Sequence, residues 1–264
     1  MKEYIEYIFL AIIQGITEFL PVSSSGHIEF LKHIINNPSI QKEGAFITVI
    51  LHLATALSII FVFREKLKEL LFSNNLESKN YIFTILVSMI PVAILVLFKI
   101  DQIIENKYNQ GWDLAFIAVM FFVTGLMLFF TEKIKINTKK ITWVTAFIIG
   151  LAQAVAILPG ISRSGATICC ALLLGSTKKE ASTFSFLICL PIILGKSLKD
   201  LFSSDEMQLV EFNLPILIAF AVTFFIGLLC CKWMIQIVAE SKLRYFGIYC
   251  FIISISAFLF NILS

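Results

Sequence analysis

The chain has 264 residues, of which 58% are hydrophobic and 15% are Asp, Glu, Lys or Arg, and its mean hydropathy is +0.90. A soluble domain carries about 25% charged residues, so this composition excludes an ordinary water-soluble fold and indicates a membrane protein. The net charge of +3 is small and its lysines lie in short segments between apolar stretches, which argues against a nucleic-acid partner.

The first informative segment, residues 8–27, reads I-F-L-A-I-I-Q-G-I-T-E-F-L-P-V-S-S-S-G-H. Glu18 lies between apolar neighbours, where a carboxylate costs several kcal/mol unless a cation, a donor or water lies beside it. Gln14 precedes it by four residues, so on a helix both side chains share one face and could hold a metal ion. A hydrogen-bonded pair that packs two helices together is the simpler alternative.

The same segment ends in Ser23, Ser24, Ser25, Gly26 and His27. Because an apolar run follows, the serines are predicted at the N-cap and first turn of a short helix, where free N–H groups and the helix dipole attract phosphate. His27 can act as acid or base near neutral pH and could activate a serine hydroxyl as a nucleophile. A plain helix cap beside an interfacial histidine is the alternative.

Three apolar stretches follow at residues 45–63, 81–98 and 114–130, each close to the roughly 20 residues that a transmembrane helix needs. They are apolar on every face, which predicts helices rather than barrel strands. A lone histidine in such a span is more often a packing residue, and the weaker site candidates of this half are His52, His33, Glu29, Thr48 and Thr55.

The second informative segment, residues 150–167, reads G-L-A-Q-A-V-A-I-L-P-G-I-S-R-S-G-A-T. Arg163 lies between Ser162 and Ser164 and interrupts an otherwise uncharged stretch. A guanidinium suits bidentate phosphate recognition, and hydroxyls on a glycine-bent backbone supply further donors, so these serines and Thr167 are predicted to bind phosphate. A structural ion pair between Arg163 and Glu18 is the alternative, and it is compatible with both residues serving the site.

Three more apolar stretches follow at residues 181–195, 212–231 and 245–264. The six cysteines lie in or beside apolar runs without the spacing of metal ligands, so they are interpreted as small core residues: Cys169, Cys170, Cys189, Cys230, Cys231 and Cys250.

The two informative segments are related by a constant shift along the chain that superposes Gln14 on Gln153 and the outer serines of the two motifs on each other. Each is followed by three apolar stretches. The pattern predicts one all-α polytopic membrane domain, residues 1–264, built as an inverted repeat of residues 1–135 and 136–264. It has about six transmembrane helices and two re-entrant helical hairpins, because Pro-Gly and Ser-Ser-Ser stop helices. Ordinary spans through both segments are the alternative.

Lysines and arginines concentrate in the loops of one predicted side, around residues 64–79, 131–140 and 232–244. The more basic side is expected to be cytoplasmic, which leaves both termini facing outward.

Both segments resemble the signature motifs of the bacterial undecaprenyl pyrophosphate phosphatases, also called bacitracin-resistance proteins, in Q-G-I-T-E-F-L-P-V-S-S-S-G-H and L-P-G-I-S-R-S-G-A-T. The resemblance extends over the whole chain in length, motif spacing and the run L-H-L-A-T-A-L. It implies hydrolysis of the polyisoprenyl pyrophosphate lipid to its monophosphate with a divalent cation, Mg²⁺ or Ca²⁺. That reaction recycles the lipid carrier of cell-wall synthesis at the outer face of the bacterial cytoplasmic (inner) membrane and gives bacitracin resistance.

Carried over position by position, the resemblance implies catalytic roles for Glu18, Ser24, His27 and Arg163. Glu18 and Gln14 would hold the cation, although Gln14 departs from the Glu of many members, which makes Glu18 the better ligand. Ser24 or a water would attack the terminal phosphorus with His27 as proton acceptor. The phosphate-binding residues predicted from the two motifs are Ser23, Ser25, Gly26, Ser162, Arg163, Ser164 and Thr167.

The apolar surface suggests a homodimer, and two other functions are compatible with parts of the sequence. A lipid-phosphate transporter or flippase is the main alternative, because inverted repeats with broken helices are a transporter architecture. The combination of acid, nucleophile, base and phosphate clamp favours an enzyme. The phosphatidic acid phosphatase superfamily has similar short motifs, but it requires a histidine after Ser-Arg, and none follows His52 here.

Overall fold

A computed structural model describes residues 2–35, 38–100, 103–104, 113–131, 138–203, 214–240 and 242–263. Every regular element within these residues is an α-helix, apart from isolated turns. The first half contains α1 (Lys2–Thr17), α2 (Ser24–Ile35), α3 (Pro38–Val62), α4 (Arg64–Phe72), α5 (Leu76–Leu97) and α6 (Leu114–Phe130). The second half contains α7 (Trp143–Val155), α8 (Arg163–Leu173), α9 (Lys178–Ser203), α10 (Leu214–Ala239) and α11 (Leu243–Leu263).

Several of these helices are long and apolar enough to cross a bilayer. By length and composition α5, most of α9, α10 and α11 qualify, and the pair α3 and α4 makes a fifth span if its 74° bend is counted within one crossing. Helix α6 is apolar but has 17 residues. The prediction of an all-helical, multi-pass membrane protein is confirmed for the described residues. These contain four or five candidate spans, whereas about six were predicted. The predicted repeat boundary at 135/136 lies outside the described residues.

Polar side chains start the helices that follow loops. The Asn75 side chain accepts a hydrogen bond from the N–H of Ser78 at the start of α5, and the Asp113 side chain accepts from the N–H of Ala115 at the start of α6. Thr142 and Thr145 form a reciprocal capping box on α7. These bonds satisfy N–H groups that have no partner inside their own helix, which fixes where each helix begins.

The helices pack so that the turn before α2 and the turn before α8 become neighbours. Helix α1 packs against α10 and α3, helix α7 packs against α5, helix α6 packs against α11, and α3 crosses α9. Phe19, Phe184 and Phe186 lie in the largest cluster of buried apolar side chains, beside these turns. The site therefore lies against a packed apolar core rather than on a loop alone.

Candidate active site

The first turn, residues 18–23, connects α1 to α2 and ends at Ser23, whose backbone conformation is unusual. Ser23 has a φ of +68°, a left-handed conformation that is uncommon for residues other than glycine. Its Oγ accepts hydrogen bonds from the N–H of Gly26 at 3.3 Å and from the N–H of Gly160 at 3.1 Å. Ser23 thus caps α2 and at the same time fastens it to the second motif.

The second turn, residues 156–161, connects α7 to α8 and is held from the side by α6. Gly160 has a φ of +96°, and Ser162 caps α8 by accepting from the N–H of Gly165 at 3.1 Å. The Thr124 hydroxyl donates to the Gly160 carbonyl at 2.8 Å and accepts from the N–H of Ser162 at 3.0 Å. The predicted serine caps are therefore present at both helices.

The two turns touch through glycines. A Cβ added at Gly26 would lie 2.7 Å from Phe121 Cζ and 2.9 Å from Gly160 Cα, closer than real Cβ contacts allow. Only a residue without a side chain lets the backbones approach this far. This approach places the N-termini of α2 and α8 side by side.

An ion pair between Glu18 and Arg163 joins the two motifs across the contact. Arg163 Nη2 donates to Glu18 Oε1, and the two side chains are 22% and 2% exposed. Removing one partner of a buried pair leaves an uncompensated charge, at about 3–5 kcal/mol. The ion pair proposed from the sequence is thus present, and the exposed part of the guanidinium remains open to an anion.

The second oxygen of the same carboxylate collects three more side chains. Glu18 Oε2 accepts from Gln14 Nε2 at 2.9 Å and from Ser24 Oγ at 2.7 Å. His52 Nε2, on α3, lies 3.8 Å from it. The hydrogen-bonded Gln14–Glu18 pair is therefore present, and the Ser24 hydroxyl points at Glu18.

The side chains around Glu18 offer few ligand atoms for a cation. Gln14 is completely buried, and its Oε1 has no hydrogen-bond partner although its Nε2 bonds the Glu18 carboxylate. Among the described residues no group of three or more His, Cys, Asp or Glu side chains could hold a metal ion. An ion here would have few protein oxygens and would need oxygens of the substrate, as Mg²⁺ sites commonly do. The unpartnered acceptor beside a carboxylate fits such an ion.

His27 is held away from the Ser24 hydroxyl. Its Nδ1–H donates to the Ser23 carbonyl at 2.7 Å, and its Nε2 lies 2.8 Å from the Tyr249 hydroxyl. Its ring also packs edge-on against Phe121 at 5.1 Å. His27 therefore lies in the motif as predicted, while its role as proton acceptor for Ser24 stays a prediction.

The other predicted phosphate-binding serines lie at the first turns of α2 and α8. Ser162 Oγ and Ser164 Oγ are 3.2 Å apart, and both residues are buried. Ser25 is exposed, with its Oγ 3.4 Å from Ser23 Oγ. These hydroxyls flank the ion pair without contacting Glu18.

Thr167 lies one turn deeper along α8. Its hydroxyl donates to the Arg163 carbonyl at 2.8 Å and lies 2.6 Å from Ser185 Oγ on α9. A narrow crevice beside the ion pair runs along this side, lined by Glu18, Phe19, Ile59, Arg163, Ser164, Ser185, Phe186 and Cys189. Thr167 is thus placed to hold Arg163 and α9 together rather than to face the crevice.

The sequence did not predict Thr124, Cys189 and Tyr249 as members of the site, and it predicted His52 only as a weaker candidate. His52 carried a signal, because an ionisable residue within an apolar span is a functional candidate by default. Tyr249 lies 222 positions from His27 along the chain and has no local signature. The weaker candidate His33 is exposed, with its Nδ1 2.9 Å from the Glu29 carbonyl, and lies outside the site.

Comparison with known proteins gives similarity over almost the whole chain. The family described as "Bacitracin resistance protein BacA" matches residues 7–256. A protein of Christiangramia forsetii named "Undecaprenyl-diphosphatase" is 44% identical over 259 residues, covering 96% of each chain. Proteins of the same name from Bacteroides fragilis and Parabacteroides distasonis are 38% and 39% identical over 261 and 256 residues, covering 96% and 94% of each chain.

Proposed function

The chain belongs to the bacitracin resistance protein BacA family, and we propose that it is an undecaprenyl-diphosphatase. It hydrolyses undecaprenyl pyrophosphate to undecaprenyl phosphate and inorganic phosphate, which returns the lipid carrier to cell-wall synthesis. The observation that carries this function is the Glu18–Arg163 ion pair, which brings the serine-rich N-termini of α2 and α8 together. Two helix N-termini and a partly exposed guanidinium form a site suited to a diphosphate.

The diphosphate is bound by groups that already converge. Arg163 clamps phosphate oxygens through the N–H groups that Glu18 does not use, and Ser162 and Ser164 stand beside it on α8. Developing negative charge on the transferred phosphoryl group is stabilised most by donors that are in place before the reaction. From α2 the proposed contacts are Ser23, Ser25 and Gly26.

Ser24 is the nucleophile that the geometry favours. Its hydroxyl donates to Glu18 Oε2, which holds Oγ in position, and the Ser24 proton passes to His27, the proposed proton acceptor, as the Oγ–P bond forms. The bond between the terminal phosphorus and the bridging oxygen breaks, and undecaprenyl phosphate leaves with the bonding electron pair. Water then hydrolyses the phosphoserine to inorganic phosphate, with His27 as the proposed acid–base group for that water. Direct attack by water is the alternative.

A divalent cation, Mg²⁺ or Ca²⁺, is proposed as the cofactor. Glu18 and Gln14 are the residues that would hold it, and Gln14 Oε1, buried and without a partner, supports this assignment. Bound there, the ion would neutralise charge on the diphosphate.

The topology proposed for this function is an inverted repeat in the cytoplasmic membrane. Six spans and two re-entrant hairpins, α1–α2 and α7–α8, would place both serine-rich turns at one depth, open to the outer face. The packing supports two related halves, because α1 of the first half lies on α10 of the second while α7 of the second lies on α5 of the first.

The experiment that tests the function measures phosphate release from undecaprenyl pyrophosphate by purified protein in detergent. Arg163→Ala is expected to lower kcat by about 10²–10³, the usual effect of losing a preorganised charge donor. Arg64→Ala is the matched control, because Arg64 is half exposed on α4, where its guanidinium contacts the neighbouring Glu65 and the Phe61 ring. EDTA tests the cation. A wild-type protein that binds the lipid and releases no phosphate would refute the enzyme and favour a carrier.

A further inference from the structure

His52 takes no part in the chemistry above, yet its ring faces the Glu18 carboxylate. Helix α3 carries the ring to a point where Nε2 is 3.8 Å from Glu18 Oε2. The imidazole is 27% exposed, whereas the carboxylate is 2% exposed. A histidine used only for packing would have no reason to direct its polar edge at a buried charge.

The contact of the other ring nitrogen, Nδ1, shows whether Nε2 directs an N–H group or a lone pair at Glu18. His52 Nδ1 lies 2.7 Å from the Thr48 carbonyl, and a carbonyl can only accept, so Nδ1 carries the hydrogen. In the neutral ring Nε2 then presents its lone pair to the carboxylate. Histidines that bind metal ions almost always donate their other N–H to a carbonyl, a carboxylate or water in this manner.

The separation between the two atoms fits a shared ion better than a hydrogen bond. At 3.8 Å the contact is too long for an N–H···O bond. Two ligands that each lie about 2.1 Å from one small cation can be at most roughly 4.2 Å apart, and this pair meets that limit. A lone pair and a carboxylate oxygen at this distance repel each other unless positive charge lies between them.

Gln14 supplies an independent observation. Its side chain is completely buried, its Nε2 bonds the same Glu18 Oε2 at 2.9 Å, and its Oε1 has no partner. Turning the amide over exchanges the two atoms, and because Oε1 makes no hydrogen bond the turn breaks only the bond to Glu18. An ion at Oε2 would replace that bond.

We propose that His52 Nε2, Glu18 Oε2 and Gln14 Oε1 together form the protein's share of a divalent-cation site. This proposal depends on the proposed function in one respect only, which is that the bound ion serves the diphosphate. Arg163 occupies the other oxygen of Glu18, so the ion would bind at Oε2, on the side of His52. A nitrogen ligand favours first-row transition ions over Ca²⁺, which prefers oxygen ligands alone. The site therefore binds Mn²⁺, used as the probe, more tightly than Ca²⁺.

The test is a titration of the detergent-solubilised full chain with Mn²⁺, following the loss of the free-ion electron paramagnetic resonance signal. His52→Ala is expected to weaken Mn²⁺ binding by at least roughly tenfold, since even outer ligand partners are worth 10–100-fold. His33→Ala is the matched control, because His33 makes the same contact to the carbonyl four residues earlier but is exposed. Equal Mn²⁺ affinities for wild type and His52→Ala would overturn the assignment.

A second measurement on wild type alone covers the case in which His52→Ala does not fold. Pulsed electron paramagnetic resonance of bound Mn²⁺ is expected to show coupling to an imidazole ¹⁴N, and competition is expected to require a large excess of Ca²⁺. Absence of the nitrogen coupling would refute the assignment. Phosphate release is assayed on the same sample. Nitrogen coupling without phosphate release would refute the proposed function but would still support His52 as a ligand of the ion.

Discussion

Glu18 has partners on both oxygens, and this arrangement fixes the carboxylate between the two motifs. Arg163 donates to Oε1, while Gln14 and Ser24 donate to Oε2. A serine hydroxyl that is already held in one position needs little reorganisation before its oxygen attacks. The most direct consequence falls on Ser24.

We expect Ser24→Ala to lose phosphate release while still binding the lipid. The substitution removes the attacking oxygen but leaves the cap of α2, because Ser23 supplies that cap. The measurement is turnover beside lipid binding, with Ser256→Ala as control, since its hydroxyl bonds only to the Ile252 carbonyl on the exposed side of α11. Near-normal turnover of Ser24→Ala would mean that water attacks directly.

The Ser23 carbonyl sets which nitrogen of His27 carries the hydrogen, and Tyr249 positions the other nitrogen. With Nδ1–H donating to the Ser23 carbonyl, Nε2 accepts from the Tyr249 hydroxyl, and the two rings lie parallel with their centroids 5.7 Å apart. Tyr249→Phe keeps the ring and removes one hydrogen bond of about 1 kcal/mol, so we expect a roughly fivefold loss of turnover. Tyr245→Phe, one helical turn earlier and exposed, is the control.

Nitrogen-15 spectra give the Tyr249 prediction a readout apart from activity. The chain has three histidines, so His27 can be assigned by comparison with His27→Gln. Tyr249→Phe should change the Nε2 resonance of His27 and leave that of His33 unchanged. An unaltered His27 resonance would show that Tyr249 has no part in positioning the ring.

Single residues show how far sequence alone could reach. Glu18, Ser24 and Arg163 were predictable because charge and hydroxyls inside apolar runs are expensive and need a local reason. Tyr249 and Thr124 were not, since a tyrosine or threonine on a hydrophobic helix is ordinary until the fold brings it against a motif far along the chain. His52 was predicted only as a weaker candidate, because a lone histidine in an apolar span is more often a packing residue, and the position of α3 is what directs it to Glu18.

At the scale of elements, the turns that precede α2 and α8, residues 18–23 and 156–161, are joined by a hydrogen bond between Ser23 and Gly160. Ser23 and Gly160 both have positive φ, and the hydrogen bond from the Gly160 N–H to Ser23 Oγ joins them. The positive φ of Ser23 is uncommon for a residue with a side chain, and it persists because several contacts enforce it. These contacts keep the N-termini of α2 and α8 beside each other.

We expect Gly160→Ala to destabilise the protein and reduce phosphate release. A Cβ at this position would lie 2.5 Å from Met120 Cβ and 2.8 Å from the Ile117 carbonyl, and the left-handed φ adds about 1–2 kcal/mol. Gly195→Ala is the matched control, since nothing lies within 4 Å of its Cβ and it sits inside α9. That control should be neutral or gain about 0.5–1 kcal/mol.

Thermal unfolding in detergent checks the comparison of the two glycines. The apparent Tm should fall for Gly160→Ala and stay level or rise for Gly195→Ala. A Gly160→Ala protein with unchanged Tm and turnover would show that the close approach of the two turns is not needed.

Helix starts could be predicted from sequence, but helix directions could not. Ser162 capping α8 follows from the known preference of serine for that position. The 74° bend between α3 and α4 does not, because its pivot Phe63 makes no side-chain cap and carries no proline or glycine signal. Bends of this kind are set by the packing of neighbouring helices, which local sequence does not encode.

At the scale of the whole molecule, the two halves are interlocked rather than side by side. Helices α1 and α7, which precede the two motifs, each pack on a long span of the opposite half, α10 and α5. An active site assembled from Glu18 of one half and Arg163 of the other depends on this exchange. Neither half alone could form it.

An inverted arrangement makes a prediction about the two membrane faces. Lys99 after α5 and Lys179 in α9 are both exposed lysines, and the proposed topology places Lys99 outside and Lys179 in the cytoplasm. We expect a membrane-impermeant thiol reagent to label Lys99→Cys in spheroplasts and to label Lys179→Cys only after the membrane is opened. Wild type supplies the background, since its six cysteines are free but buried or half-buried. Labelling of both from one side would refute the inverted repeat, whereas the reverse pattern would turn the site toward the cytoplasm.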